Sequence, residues 1–126
     1  MKLESAIWSD IQDYYDVDIS DKISFLPAIR QICADLSHGV STGIISARFH
    51  NTVVEATFQE VKKISRETGI NKIVLSGGTF QNKYLIESLD TKLRKNNFVP
   101  FSHEKIPCND GGLSLGQLVI AAAKRE

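Results

Sequence analysis

A change of hydrophobic period inside Lys72–Lys83 constrains this chain more than any other feature. The stretch reads Lys-Ile-Val-Leu-Ser-Gly-Gly-Thr-Phe-Gln-Asn-Lys. Ile73-Val74-Leu75 is a short apolar run with two β-branched residues, the pattern of a strand buried on both faces of a parallel sheet. From Asn82 onward Leu85, Ile86, Leu89 and Leu93 recur at three- and four-residue steps, which is a helix face. Between the two periods, Ser76-Gly77-Gly78 supplies residues that take positive φ and let another group approach the backbone. The glycines are therefore expected in a strand-to-helix turn, beside backbone N–H groups and the positive end of a helix dipole, where a phosphate is stabilised. An isolated Gly-Gly is more often a plain tight turn. Here the chain repeats the arrangement.

The repeat is Pro107-Cys108-Asn109-Asp110-Gly111-Gly112, leading into an apolar segment read as a final helix, Leu113–Lys124. Between the two turns, a helix over Asn82–Lys95 and a strand near Phe98–Phe101 complete a unit the size of a βαβ crossover, whose strands are parallel. Pro100 removes one ladder donor and marks a strand end or edge. In open α/β sheets, ligands bind at such turns by the carboxyl ends of strands. Gly77 and Gly78 would admit phosphate oxygens to backbone N–H groups. Asn82 has two candidate tasks, capping its helix or bonding the ligand. Asp110 has three: an N-cap, a divalent-cation ligand or a ribose partner.

Several chemistries are not supported. No Gly-Lys-Ser/Thr follows the glycines, and the loop is not GxGxxG. Ser76 and Thr79 have no base beside them in sequence, so nucleophilic catalysis has no support. His38, His50 and His103 show no HxxxH spacing, and one aspartate cannot hold a catalytic metal alone. The pattern reads as half of a site.

The rest of the chain supplies the scaffold. Met1–Ser9 reads as a short helix without a disordered leader, and Asp10–Asp21 as a ragged acidic strand. That stretch lacks the spacing, central glycine and terminal glutamate of a calcium loop. Pro27–Ser37 carries the helix face Ile29, Ile32, Cys33 and Leu36 and ends at Gly39. A longer helix over Ser41–Thr68 closes at Gly69, and its first half spreads apolar residues over more than one stripe, so it is expected to be buried on more than one side. Arg48 and His50 lie in that half. A lone helical histidine there reads as a packed or surface residue rather than a ligand, with a role near the site held in reserve.

At 126 residues the chain fits one domain over 1–126. With 15 basic and 15 acidic residues it lacks the basic footprint of a nucleic-acid binder. Lys92-Leu93-Arg94-Lys95 reads as a solvated helix end. Cys33 and Cys108 belong to no metal or redox spacing and point to free thiols in a reducing compartment. No run reaches membrane-spanning length and no signal-peptide core is evident, so a soluble cytoplasmic domain is expected.

Two blocks, Val74-Leu75-Ser76-Gly77-Gly78-Thr79-Phe80-Gln81-Asn82 and Asn109-Asp110-Gly111-Gly112-Leu113-Ser114-Leu115-Gly116-Gln117, closely resemble the C-terminal end of the HypF family. Ser46-Ala47-Arg48-Phe49-His50-Asn51-Thr52 resembles that family's motif on the long helix, and Met1-Lys2-Leu3-Glu4 is similar to a segment that follows its first lobe. Thr79 and Lys83, where the family more often has valine and arginine, are mild departures. The resemblance implies a carbamoyltransferase of [NiFe]-hydrogenase maturation, several times longer than this chain. Such enzymes use carbamoyl phosphate and ATP, by way of carbamoyl-adenylate, to carbamoylate the C-terminal cysteine of a partner, HypE.

The implied fold is α/β, the second lobe of an actin/hexokinase-like ATPase fold, with a parallel βαβ core and flanking helices. By position, Gly77, Gly78, Asn82 and Gly111 would contact nucleotide phosphates, and Asp110 would be a ligand to a divalent metal shared with the first lobe. The family's metal-binding histidine pair has no counterpart here, so this chain is expected to be inactive alone. Two rivals stand beside this reading. One is a relative of the same fold with another acceptor, an O-carbamoyltransferase or a tRNA-modifying enzyme. The other is a non-catalytic nucleotide-binding or interaction module whose glycine turns are structural.

Overall fold

The computed structural model describes Ile7, residues 10–20, 22–103 and 111–124. The helix expected over Met1–Ser9 and the loop holding Cys108, Asn109 and Asp110 lie outside the described residues. In chain order the elements are α1 (Leu26–Ser37), α2 (Thr42–Thr68), β1 (Lys72–Leu75), α3 (Lys83–Lys95), β2 (Val99–Ser102) and α4 (Gly111–Ala123).

Each of the first three helices stops for a local reason. Past α1, Gly39 takes φ +73°, and its N–H bonds Leu36 O while that of Val40 bonds Asp35 O. This is the paired-bond stop that a left-handed residue allows. Asn97 does the same for α3 at φ +64°, with Asn97 N–H on Arg94 O and Phe98 N–H on Leu93 O. Gly69, at φ +73°, ends α2 and returns its N–H to Ser65 O. At the other end of α2, the Ser41 side chain accepts from Ile44 N–H.

β1 and β2 form a parallel pair in the register Lys72 to Val99 and Leu75 to Ser102. The strand–helix–strand unit is thus the expected crossover, and Pro100 lies within β2 on this small sheet. Under the sheet, Val54 and Phe58 of α2 meet Leu85, Leu89 and Leu93 of α3 around Leu75. The ring of Phe98 closes this core edge-on to Phe58. α2 is the hub. It packs against α1 as well as α3 and buries residues on several sides of its first half, from Gly43 to Phe58, as the spread of its apolar residues requires.

Three expectations are corrected. Among the described residues β1 is covered on one face only: Leu75 is buried while Val74 is 70% exposed, because α2 and α3 both pack on the Leu75 side. The acidic stretch is not a strand. It is irregular, with one antiparallel bridge among the described residues, Asp18 to Ser24, and is pinned from the side. Tyr15 N–H donates to Thr52 Oγ1, Asp16 N–H to Gln31 Oε1, and Asn51 Nδ2 to the carbonyls of Ile11 and Asp13. Finally, α4 begins at Gly111, so the second glycine pair forms its first turn instead of preceding it.

The basic end of α3 is also less solvated than its composition implies. Lys92 pairs with Glu55 of α2, and Arg94 with Asp90 one turn back. Burial works to raise the Glu55 pKa, but bonds from Lys92 and Gln59 outweigh it and hold the carboxyl below its usual value.

Candidate functional site: a glycine ledge at the strand ends

The parallel pairing sets Leu75 beside Ser102, so the chain leaves both strands at the same end of the sheet. Just beyond, Ser76 Oγ and His103 Nε2 stand 2.9 Å apart and join the two exits. Sequence spacing gave Ser76 no neighbouring base, and the fold supplies one from 27 positions away. Both groups are exposed, and a hydroxyl–imidazole contact needs a third group to orient the base before it becomes nucleophilic machinery.

Gly77 then takes φ +104° and ψ 162°, a backbone state essentially closed to side-chain-bearing residues. Gly78 does not share it: the positive φ belongs to Gly77 alone of the pair. Nor does the helix follow at once. A 3-10 turn over Gly78–Gln81 intervenes before Asn82 starts α3. A helical turn starting at Gly78 leaves its first N–H groups without an intrahelical partner. Side chains added at Gly77 or Gly78 would meet no other described atom within 4 Å of their Cβ. Among the described residues nothing stands over the turn at these two positions.

Asn82 does cap α3, its Oδ1 accepting from Leu85 N–H at 3.0 Å. Its amide nitrogen lies 2.9 Å from Nε2 of His50, which is only 4% exposed. The sequence reads His50 as a packed or surface residue, with a role near the site held in reserve. It is packed, and it is also joined directly to a candidate site residue. Its spacing from Asn82 carries no periodicity that could have revealed this.

The structure thus brings Gly77, Gly78 and Asn82 into one loop. Gly111 opens α4, and Asp110 lies outside the described residues, so the metal-ligand expectation for it rests on the sequence. Among the described residues no group of three or more His, Cys, Asp or Glu is placed to hold a metal ion.

The larger clefts lie elsewhere. One of about 440 Å³ is lined by Asp13, Tyr15, Asp35 and Arg48, and another of about 550 Å³ runs between α2 and α3 past Asn51, Tyr84 and Lys92. The first is closed on itself electrostatically. Arg48 meets Asp35 at 2.8 Å and Asp13 at 3.4 Å, and Tyr15 Oη donates to Asp35 at 2.8 Å. Tyr15 and Arg48 both hold the Asp35 carboxyl below its usual value, while burial and the Asp35 bond push the Tyr15 phenol up to about 12.

The described residues form a mixed α/β fold with a small parallel two-stranded sheet on helices and a glycine turn at its strand ends. The family described as "Carbamoyltransferase, Kae1-like Domain, second subdomain" matches residues 1–117. The carbamoyltransferase HypF of Synechocystis is 32% identical over 98% of this chain and 16% of its own length. A crystal structure of full-length HypF in the phosphate- and nucleotide-bound form superposes with a TM-score of 0.86 at 48% identity, covering 95% of this chain and 20% of that one. A tRNA N6-adenosine threonylcarbamoyltransferase of Syntrophotalea carbinolica is 32% identical over 57% of the chain and 21% of its own length. The chain belongs to the HypF carbamoyltransferase family, as the second subdomain of its Kae1-like domain. It spans about a fifth or less of the HypF proteins just named. Among the described residues no helix is long and apolar enough to cross a membrane.

Proposed function

We propose that this chain supplies one wall of a nucleotide site in a HypF-type carbamoyltransferase, as the second lobe of an actin/hexokinase-like fold. In this reading Gly77 and Gly78 offer backbone N–H groups to phosphate oxygens of ATP or carbamoyl-adenylate. Asn82 and Gly111 contribute from the starts of α3 and α4, where the helix dipoles favour negative charge. Asp110 gives one ligand to a divalent metal shared with the first lobe. Carbamoyl phosphate and ATP are the substrates, and a HypE-type protein with a C-terminal cysteine is the acceptor. ATP would supply the adenylyl group that activates the carbamoyl carbon in another domain of the enzyme; this chain's own residues would bind and orient the nucleotide.

The observation that carries the proposal is the Gly77 turn at the end of β1, open above Gly77 and Gly78, in a chain 48% identical to a protein solved with phosphate and nucleotide. Gly78→Val tests it. Gly78 is free of the left-handed strain, so valine there should leave the melting temperature of the complete enzyme nearly unchanged. Its methyl groups would stand where phosphate is expected, and ATP affinity by calorimetry should fall by about tenfold or more, roughly 1.4 kcal/mol. Wild-type affinity would leave the turn structural and this reading wrong. The likeness to a tRNA N6-adenosine threonylcarbamoyltransferase keeps a second acceptor class in view. The balanced surface charge and the family match across residues 1–117 favour the first.

A further inference from the structure

We infer that His50 is a positioning residue for the ledge: from inside α2 it fixes the amide of Asn82, and through it the start of α3. This rests on the nucleotide reading above and adds a residue to it.

The ring's hydrogen bonds define its tautomer. Nδ1 lies 2.8 Å from Ser46 O, a carbonyl that can only accept, so Nδ1 carries the proton. Asn82 Oδ1 is taken by Leu85 N–H, so the amide nitrogen faces the ring and donates to Nε2 at 2.9 Å. One line of bonds therefore runs from the main chain of α2, through a buried imidazole, to the cap of α3. Every polar atom of the ring is used. The imidazole is also held sideways, edge-on to Phe49 and Tyr84 at centroid distances of 6.0 and 5.7 Å.

The next residue reinforces the grip. Asn51 Oδ1 accepts from Tyr84 Oη at 2.6 Å, so consecutive residues of α2 hold two residues at the start of α3. A cap alone needs no such partner, because asparagine caps helices without a buried imidazole behind it. What His50 adds is orientation. Leu85 N–H holds the amide oxygen and the imidazole holds the amide nitrogen, so both ends of the Asn82 amide are fixed from the packed side.

The test is a double-mutant cycle in the complete enzyme, read as ATP affinity by calorimetry. His50→Phe keeps the ring and removes both bonds, and Asn82→Ala removes the partner. Each should weaken ATP binding about tenfold, and the double variant should lose no more than the weaker-binding single one. His50→Gln, which retains a donor and an acceptor, should recover most of the affinity and serves if His50→Phe folds poorly. Leu89→Ala, a core truncation that leaves the His50 and Asn82 bonds in place, should lower the melting temperature without moving ATP affinity. Additive losses, or wild-type affinity in His50→Phe beside a weakened Asn82→Ala, would overturn the role of His50 and leave the nucleotide reading standing. Wild-type affinity in both Asn82→Ala and Gly78→Val would remove the nucleotide reading and this inference with it.

Discussion

The two faces of the β1–β2 sheet are made of the same residue types and have opposite fates. On the inner face Leu75 joins Val54, Phe58, Leu85, Leu89 and Leu93 in a continuous core, with Leu93 wholly buried. On the outer side Val74 stays 70% and Phe101 49% exposed. The last helix shares that condition: Leu118 is 68% exposed, and the residues from Leu113 to Lys124 are all exposed. An apolar pattern announces that a face will be buried, not that its cover lies in the same chain. The candidate site sits on the rim between the two conditions. Its backbone is anchored from the packed side through His50 and Asn82 and is open on the other.

Substitutions on the packed side should cost most. Leu93→Ala is expected to destabilise this chain by about 2–5 kcal/mol in urea unfolding, the range for truncating a buried leucine. A cost under about 1 kcal/mol would mean that the inner face is not the core.

Next comes the rim. Gly77→Val forces a β-branched residue into a glycine-only backbone state and should cost about 1–3 kcal/mol. Gly78→Val should cost much less, although both positions have room for a side chain. Equal costs would erase the distinction between them.

The acidic cluster of Asp35 with Tyr15 and Arg48 gives a smaller, pH-dependent effect. A carboxyl held below its unfolded value contributes stability that is present above about pH 4 and lost as pH falls through its folded value. Asp35→Asn should therefore be less stable than the parent at neutral pH, with the gap closing in acid. Glu55 loses its contribution over the same side of the scale. A gap that stays constant with pH would show that the Asp35 charge does not matter.

On the bare side, Val74→Ser should change the stability of this chain by no more than about 0.5 kcal/mol. A loss matching that of Leu93→Ala would show the outer face to be covered.

What sequence alone could read was local. Gly39 and Gly69 stop helices where their positions implied, Asn82 caps α3, and the change of period at the Gly-Gly turn places the strand–helix–strand unit correctly. What it could not read was mutual. The Ser76–His103 contact and the His50–Asn82 bond join residues 27 and 32 positions apart, and neither leaves a periodic trace. Two glycines in a row do not declare which one takes the left-handed turn, since either could. Nor could a uniform apolar run show that Val74 would have no cover, because the sheet's outer layer is not part of the pattern that makes the strand.

Amide hydrogen exchange in the complete enzyme, with and without ATP, examines the ledge most directly. Exchange slows where an N–H gains a partner or loses its access to opening. ATP is expected to protect the amides of Gly77, Gly78 and Thr79 and to leave those around Leu93, already protected by the core, unchanged. Protection confined to other segments, with the Gly77–Thr79 amides exchanging as fast as without ATP, would contradict the phosphate role of the turn.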